Sequence, residues 1–164
     1  MEKGFDREAD MVTVNFEKEV TQSFSFKVSA EKNCDRPTSP VLKYLYEPNA
    51  AILKSGAFKL VGKNFALNKV SQHTHLYTSE EIVKEFPGKI FEVIDSYAPN
   101  KKQIKSRLSK QKISIKSRNY PESVAQIRKK YKIMLEGEDI AVFFCKVEEQ
   151  YQVIETKRVY FDTY

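Results

Sequence analysis

The sequence has only two cysteines, Cys34 and Cys145, and two histidines, His73 and His75, in 164 residues. Two thiols are too few for a disulfide scaffold. Cys145 lies in the apolar run Ile140-Ala141-Val142-Phe143-Phe144-Cys145, where a reduced, buried thiol is expected, so the chain reads as cytoplasmic. No apolar stretch reaches the roughly 18–20 residues of a membrane span. The first residues, Met1 to Asp6, are charged and make no apolar signal region. The glycines form no phosphate loop and no dinucleotide fingerprint. There is no internal repeat and no low-complexity tract. His73-Thr74-His75 is the nearest approach to a metal motif. Zinc takes three or four ligands, and no other histidine or cysteine stands close by in sequence. A metal contact, a polar surface role and structural hydrogen bonding are its three readings, and the last is preferred. The expectation is a chain with no catalytic centre, no metal and no cofactor of its own.

What the sequence does have is a lopsided charge. It carries 28 Lys+Arg against 22 Asp+Glu, a net charge of +6. Twelve of the basic residues and one acid, Glu122, lie between Lys101 and Lys132, so that segment holds +11 and the remainder −5. Solubility alone is served by interspersed signs. Cations gathered in a fifth of the chain make a field that attracts a polyanion.

The hydropathy pattern places this segment on regular structure. Residues 11–16 and 22–28 alternate at period two and read as a strand pair. Asn33 to Pro40, with two prolines among polar residues, reads as a linker. Pro48 to about Leu67 has helical spacing, with Ile52, Leu53, Ala57, Leu60 and Val61 on one face. Thr78-Ser79-Glu80-Glu81 fits a capping box, so a short helix is expected to follow it and stop at Pro87-Gly88. Lys89 to Tyr97 reads as a strand, 101–109 as a helix, 112–116 as a strand and 121–131 as a helix. Ile140 to Cys145 reads as a central strand covered on both faces, paired with Tyr151 to Tyr160 through a turn near Glu148. The fold class is therefore α+β, one mixed sheet with helices packed on it and a β-strand pair before it.

Each basic element turns its apolar residues inward and its cations outward. The candidate phosphate contacts are Lys101, Lys102, Lys105, Arg107, Lys112, Lys116, Arg118, Arg128, Lys129 and Lys130. Tyr120, beside Arg118 and Asn119, is the candidate for stacking on an unpaired base. A plain solvated face, and an anionic membrane or acidic partner, are the competing readings. A free-standing enzyme would need a cleft built around His73, His75, Glu47 or Asn49. A protein-interaction module would show an exposed apolar patch near Phe5, Phe16, Phe24 and Phe26.

Several stretches carry a family resemblance. Leu45 to Lys59 resembles "YLYEPNAAILKAGAFK" of a bacterial family of class I S-adenosylmethionine-dependent methyltransferases that end in a THUMP-like domain. His75 to Ser79 resembles its "HLYTS", and Phe86 to Phe91 its "FPGRxF". Lys101-Lys102 and the region from Asn119 to Lys132 resemble its later basic segment. The resemblance covers about residues 41–160. It implies a THUMP-like domain over 41–164, and a strand pair and linker over 1–40 left from a preceding methyltransferase domain. It implies RNA, tRNA or rRNA, as the partner, together with a methyltransferase catalytic domain that holds the S-adenosylmethionine. Catalysis is then absent from this chain and belongs to the parent methyltransferase. Tyr46, Glu47, Pro48, Asn49, Lys54 and Lys59 are expected at the contact with that domain or beside its active site. A buried packing motif is the other reading for them. Docking on the methyltransferase without RNA contact is the alternative function.

Overall fold

A computed structural model describes residues 7–17 and 20–162. Strand β1 (Asp10–Glu17) pairs antiparallel with β2 (Val20–Lys27), with Thr13 opposite Phe24 and Met11 opposite Phe26. Alternation sends Thr13, Phe24 and Phe26 inward and leaves Val12, Val14 and Phe16 on the outer face. A short helix α1 (Val28–Asn33) follows, although the sequence pattern gave no sign of it.

The linker stretch is fastened to the body. The Arg36 Nε donates to the Leu67 carbonyl at 2.8 Å, the Ser39 N–H donates to the Lys69 carbonyl at 2.9 Å, and Cys34 is buried. Strand β3 (Tyr44–Pro48), which the sequence pattern left unassigned, ends at the Pro48 where the helix was expected to start. Pro48 closes the strand, and Asn49 caps the next helix by accepting from the Ile52 N–H at 3.0 Å. The long helix expected to Leu67 is two short ones, α2 (Ala50–Ser55) and α3 (Phe58–Asn64). Gly56 divides them with φ +80°, a left-handed conformation that glycine adopts without steric cost.

The helix expected after Thr78 does not form. Strand β4 (Asn68–Lys69) pairs with β5 (Tyr77–Ser79), and Thr78 is fully buried inside β5. Its hydroxyl donates to the Tyr44 carbonyl and accepts from the Leu42 N–H, both at 2.8 Å, so it has no role as a cap. The Tyr46 hydroxyl then organises the following loop, accepting the Val83 N–H at 3.0 Å. The apolar residues of that loop still pack inward as expected: Phe86 is buried, with Ile82 and Val83 against the same cluster.

The rest follows the sequence pattern closely. Strand β6 (Gly88–Tyr97), helix α4 (Lys101–Leu108), strand β7 (Ser114–Arg118), helix α5 (Val124–Tyr131), and strands β8 (Ile140–Val147) and β9 (Gln150–Arg158) complete the chain. The seven-stranded sheet runs β4-β5-β3-β6-β9-β8-β7. Its pairings are antiparallel except β7 with β8, which run parallel because α5 carries the chain back across the sheet.

Strand β8 is buried on both faces. Val142 and Phe144 meet Ile104, Leu108, Ile127 and Tyr131 of α4 and α5, whereas Ala141, Phe143 and Cys145 meet Leu45, Leu76 and Phe91. The second face is enclosed because the sheet curls. The segment 70–76 reaches the β8–β9 turn, where the Thr74 hydroxyl donates to the Lys146 carbonyl at 2.6 Å and the Ser71 hydroxyl to the Glu148 carbonyl at 3.0 Å. Burial pushes the Cys145 thiol up to about 12, which keeps it protonated and unreactive.

Candidate nucleic-acid interface

Helices α4 and α5 lie together on one face of the sheet, and their apolar sides anchor them there. Asn100 caps α4 by accepting from the Gln103 N–H at 3.0 Å, and Ile104 and Leu108 are fully buried. Ser123 and Gln126 form a reciprocal capping box at the start of α5, whose Ile127 and Tyr131 face inward. With the inner faces fixed, Lys101, Lys102 and Lys129 have only solvent to point into, and Lys105 is half-buried at the α4 flank.

The structure divides the predicted cations into two groups. The first group is committed to internal carboxylates and carbonyls. Arg107 forms a fork with Glu155, Nε to Oε1 at 2.8 Å and Nη2 to Oε2 at 3.2 Å, and also meets Asp95 at 2.8 Å. The Tyr97 hydroxyl donates to the same Glu155 at 2.6 Å, and burial pushes that phenol well above its usual range. Arg118 bonds Glu47 at 2.6 and 2.8 Å across the curl, with Lys116 3.8 Å from the same carboxylate. Arg128 donates to the carbonyls of Ile113, Ile133 and Leu135 and pairs with Glu136 at 3.2 Å. Lys130 pairs with Glu122 at 2.8 Å. Tyr120 is half-buried, with its ring packed edge-on against Phe144 at 5.6 Å and Tyr151 at 5.2 Å.

The second group has no carboxylate within 4.0 Å among the described residues. It comprises Lys101, Lys102, Lys105, Lys112 and Lys129, joined by Lys110 and Lys132. These lysines lie on α4, on the turn after it and on α5. Sequence reasoning could not sort the two groups, because Glu47, Asp95 and Glu155, which meet Arg107, Lys116 and Arg118, come from β3, β6 and β9, although Glu122 and Glu136 stand near Lys130 and Arg128 in sequence.

The conspicuous motif from Leu45 to Lys59 is mostly interior. Tyr46, Glu47 and Pro48 are buried, and Lys54 alone of the six candidate residues is exposed. Asn49 works twice: its Oδ1 caps α2, and its Nδ2 donates to Gln22 Oε1 at 2.9 Å, tying β2 to the body. The Lys59 and Leu60 N–H groups at the start of α3 both donate to the Glu31 carboxylate at 2.8 Å.

The two histidines part company. His73 is exposed, whereas the His75 ring stacks on Phe58 with centroids 3.5 Å apart and planes 9° from parallel. Burial, with Lys69 and His73 nearby, lowers the His75 imidazole to about 4. It is therefore neutral when folded and protonates near its ordinary value, about 6.5, when unfolded. The native state gains its full benefit above that value and loses it as pH falls from 6.5 toward 4. Because the ring is partly exposed, solvent screening reduces the effect to about 1 kcal/mol. His75→Phe is expected to keep the stack and flatten this part of the stability–pH profile, measured by urea denaturation. A slope unchanged in the variant would assign it to other groups. No cluster of three or more His, Cys, Asp or Glu suited to a metal occurs among the described residues. No helix among them is long and apolar enough to cross a membrane.

Comparison with known proteins defines the class. Residues 44–87 match the family described as a ferredoxin-like domain, and residues 88–158 match the one described as THUMP domain-like. The chain thus carries a THUMP-like domain of the kind linked to methyltransferases. A solved structure from Porphyromonas gingivalis W83, a candidate methyltransferase, superposes with a TM-score of 0.85 at 28% identity over 92% of this chain. This chain spans 38% of that protein's length. No curated protein matches the sequence.

Proposed function

We propose that the chain is the RNA-recognition part of an S-adenosylmethionine-dependent methyltransferase system and acts on tRNA or rRNA in the cytoplasm. The carrying observation is the set of uncompensated lysines on α4, its following turn and α5. THUMP-like domains typically bind RNA, and these cations supply phosphate contacts that need no base sequence. Arg107 and Arg128 serve the same surface indirectly, by holding α4 against β9 and α5 against the loop after it. Chemistry falls to a methyltransferase catalytic domain. The four described glycines, at 56, 62, 88 and 137, lie apart and form no glycine-rich loop, and we place S-adenosylmethionine on the partner.

Titrating a structured tRNA at several salt concentrations tests the reading. Each neutralised phosphate contributes about 0.7–0.9 to the logarithmic salt slope, so five to seven lysines predict a slope of roughly −4 to −6. Binding that ignores salt, or no binding at low salt, would remove the proposal.

One observation favours an additional protein contact. Val12, Val14 and Phe16 form an apolar stripe on the outer face of the β1–β2 pair, with Phe16 79% exposed. Of the aromatic residues expected in such a patch, Phe24 and Phe26 are instead buried, and Phe5 lies outside the described residues. The methyltransferase domain is the partner we assign to that stripe. The P. gingivalis protein, which is longer than this chain, is consistent with such a neighbour.

A further inference from the structure

At one end of the curled sheet, away from the lysines of α4 and α5, lies a half-open cleft of about 450 Å³. Its walls come from the starts of β6, β7 and β8 and the end of β9, and they carry Lys89, Lys116 and Arg158. Three cations on three strands of one cleft repel one another, so the fold would disperse them unless something held them. Within the chain the compensation is incomplete. Glu47 is the nearby buried carboxylate, and the Arg118 guanidinium already saturates one of its oxygens at 2.6 Å. Lys116 reaches the other only at 3.8 Å. Burial lowers the Lys116 ammonium, and Lys89, Arg118 and Arg158 push in the same direction against Glu47.

Arg158 is the residue the fold leaves unexplained. Its guanidinium is clamped between two rings, 5.3 Å from the Phe91 centroid and 5.7 Å from that of Tyr160. Its Nη1 is nevertheless buried with no hydrogen-bond partner among the described residues. Leaving such a donor unmade costs on the order of 1–3 kcal/mol, more for a charged group. Lys89, exposed at the cleft edge, also has no carboxylate within 4.0 Å among the described residues. Glu17 and Glu138 stand exposed at the rim, and Glu17 and Glu47 both act on the Arg158 charge without either carboxylate coming within 4.0 Å of it.

A planar guanidinium with an unpaired donor, lining one cleft with two ammonium groups, matches a tetrahedral oxyanion. We propose that this cleft binds a phosphate group, seated on the Arg158 guanidinium between Lys89 and Lys116. The Tyr160 ring, 63% exposed, stands beside the seat and offers a face to an attached base or sugar. The phosphate belongs either to a polynucleotide backbone or to a free nucleotide. The polynucleotide source rests on the RNA reading above; the site itself does not.

The test uses the whole chain in two arms. In one, inorganic pyrophosphate is titrated and backbone amide shifts are followed by NMR. In the other, a fluorescently labelled tRNA is titrated by anisotropy. Pyrophosphate is expected to shift the amides of Lys89, Ser114 and Arg158 to saturation. Arg158→Gln and Lys89→Gln are each expected to weaken it about tenfold, the loss of one hydrogen bond to a charged group. Lys89→Gln, at an exposed position, keeps the fold and guards against a trivial loss through unfolding. A parallel loss of tRNA affinity assigns the phosphate to a polynucleotide, and unchanged tRNA affinity assigns it to a free nucleotide. If tRNA fails to bind the parent while pyrophosphate still saturates these amides, the RNA reading falls and the cleft stands. If pyrophosphate leaves the lining amides unmoved, or both variants bind it as the parent does, the cleft is not a phosphate site, whatever tRNA does.

Discussion

Changing Lys101, Lys105 and Lys129 together to glutamate is expected to abolish tRNA binding at physiological salt while leaving the melting temperature close to that of the parent. These residues carry no carboxylate partner among the described residues, so nothing internal is lost when their sign changes. Three phosphate contacts of about 1 kcal/mol each correspond to roughly a hundredfold, and the introduced repulsion adds to that. The salt slope should fall by about 2 to 3 as three neutralised phosphates disappear. Arg128 has the sequence signature of a phosphate contact but is a poor choice for this test. Its guanidinium holds three backbone carbonyls, so a loss of binding there would be confounded with a loss of structure. The informative comparison is Arg107→Glu, which should destabilise the fold by stranding Glu155 beside Asp95. Unimpaired binding in the lysine triple variant, measured by anisotropy across salt concentrations, would sink the proposed interface.

Gly88→Ala is expected to be the most damaging glycine-to-alanine change among the described residues. Gly88 pairs with Pro48 where β3 and β6 begin their ladder. A Cβ built there falls 2.2 Å from the Glu47 carbonyl oxygen and 2.9 Å from Pro48 Cα. Both are backbone atoms and cannot rotate away, so the strands must part. Overpacking of this kind costs about 3 kcal/mol or more, which for a chain of this size lowers the melting temperature by roughly 6–12 °C. The damage should also spread. Glu47 leaves its place opposite Arg118, and the bond that spans the curl weakens with it. Calorimetry reads the first effect. A variant melting within a degree or two of the parent would show that the ladder start has slack.

Local signals served well where they coincided with packing. The period of Ile104 and Leu108, and of Ile127 and Tyr131, placed α4 and α5 because a helix has one inward side and lysines tolerate only the other. The unbroken apolar run of β8 announced a strand covered on both faces, and it is one. Thr78 misled because Thr-x-x-Glu is also compatible with a buried strand. Its hydroxyl satisfies the Tyr44 carbonyl and the Leu42 N–H, and neither neighbour is visible along the chain. The Leu45–Lys59 motif stood out for its composition, which fits an exposed contact as well as a core. Only the sheet showed that Tyr46, Glu47 and Pro48 are interior.

The sequence by itself determined the α+β class, the strand pair at the start and the excess of positive charge between Lys101 and Lys132. These properties are local or additive, and they survive any arrangement of the elements. Tertiary structure decided which of those cations remain available to a ligand. Glu47 is 71 residues from Arg118 and Glu155 is 48 from Arg107, so their ion pairs exist only after elements distant in sequence come together. The same assembly brought Lys89, Lys116 and Arg158 to one cleft. Charge can be counted along a chain, but its neutralisation depends on distance in space, and that distance is set by the sheet.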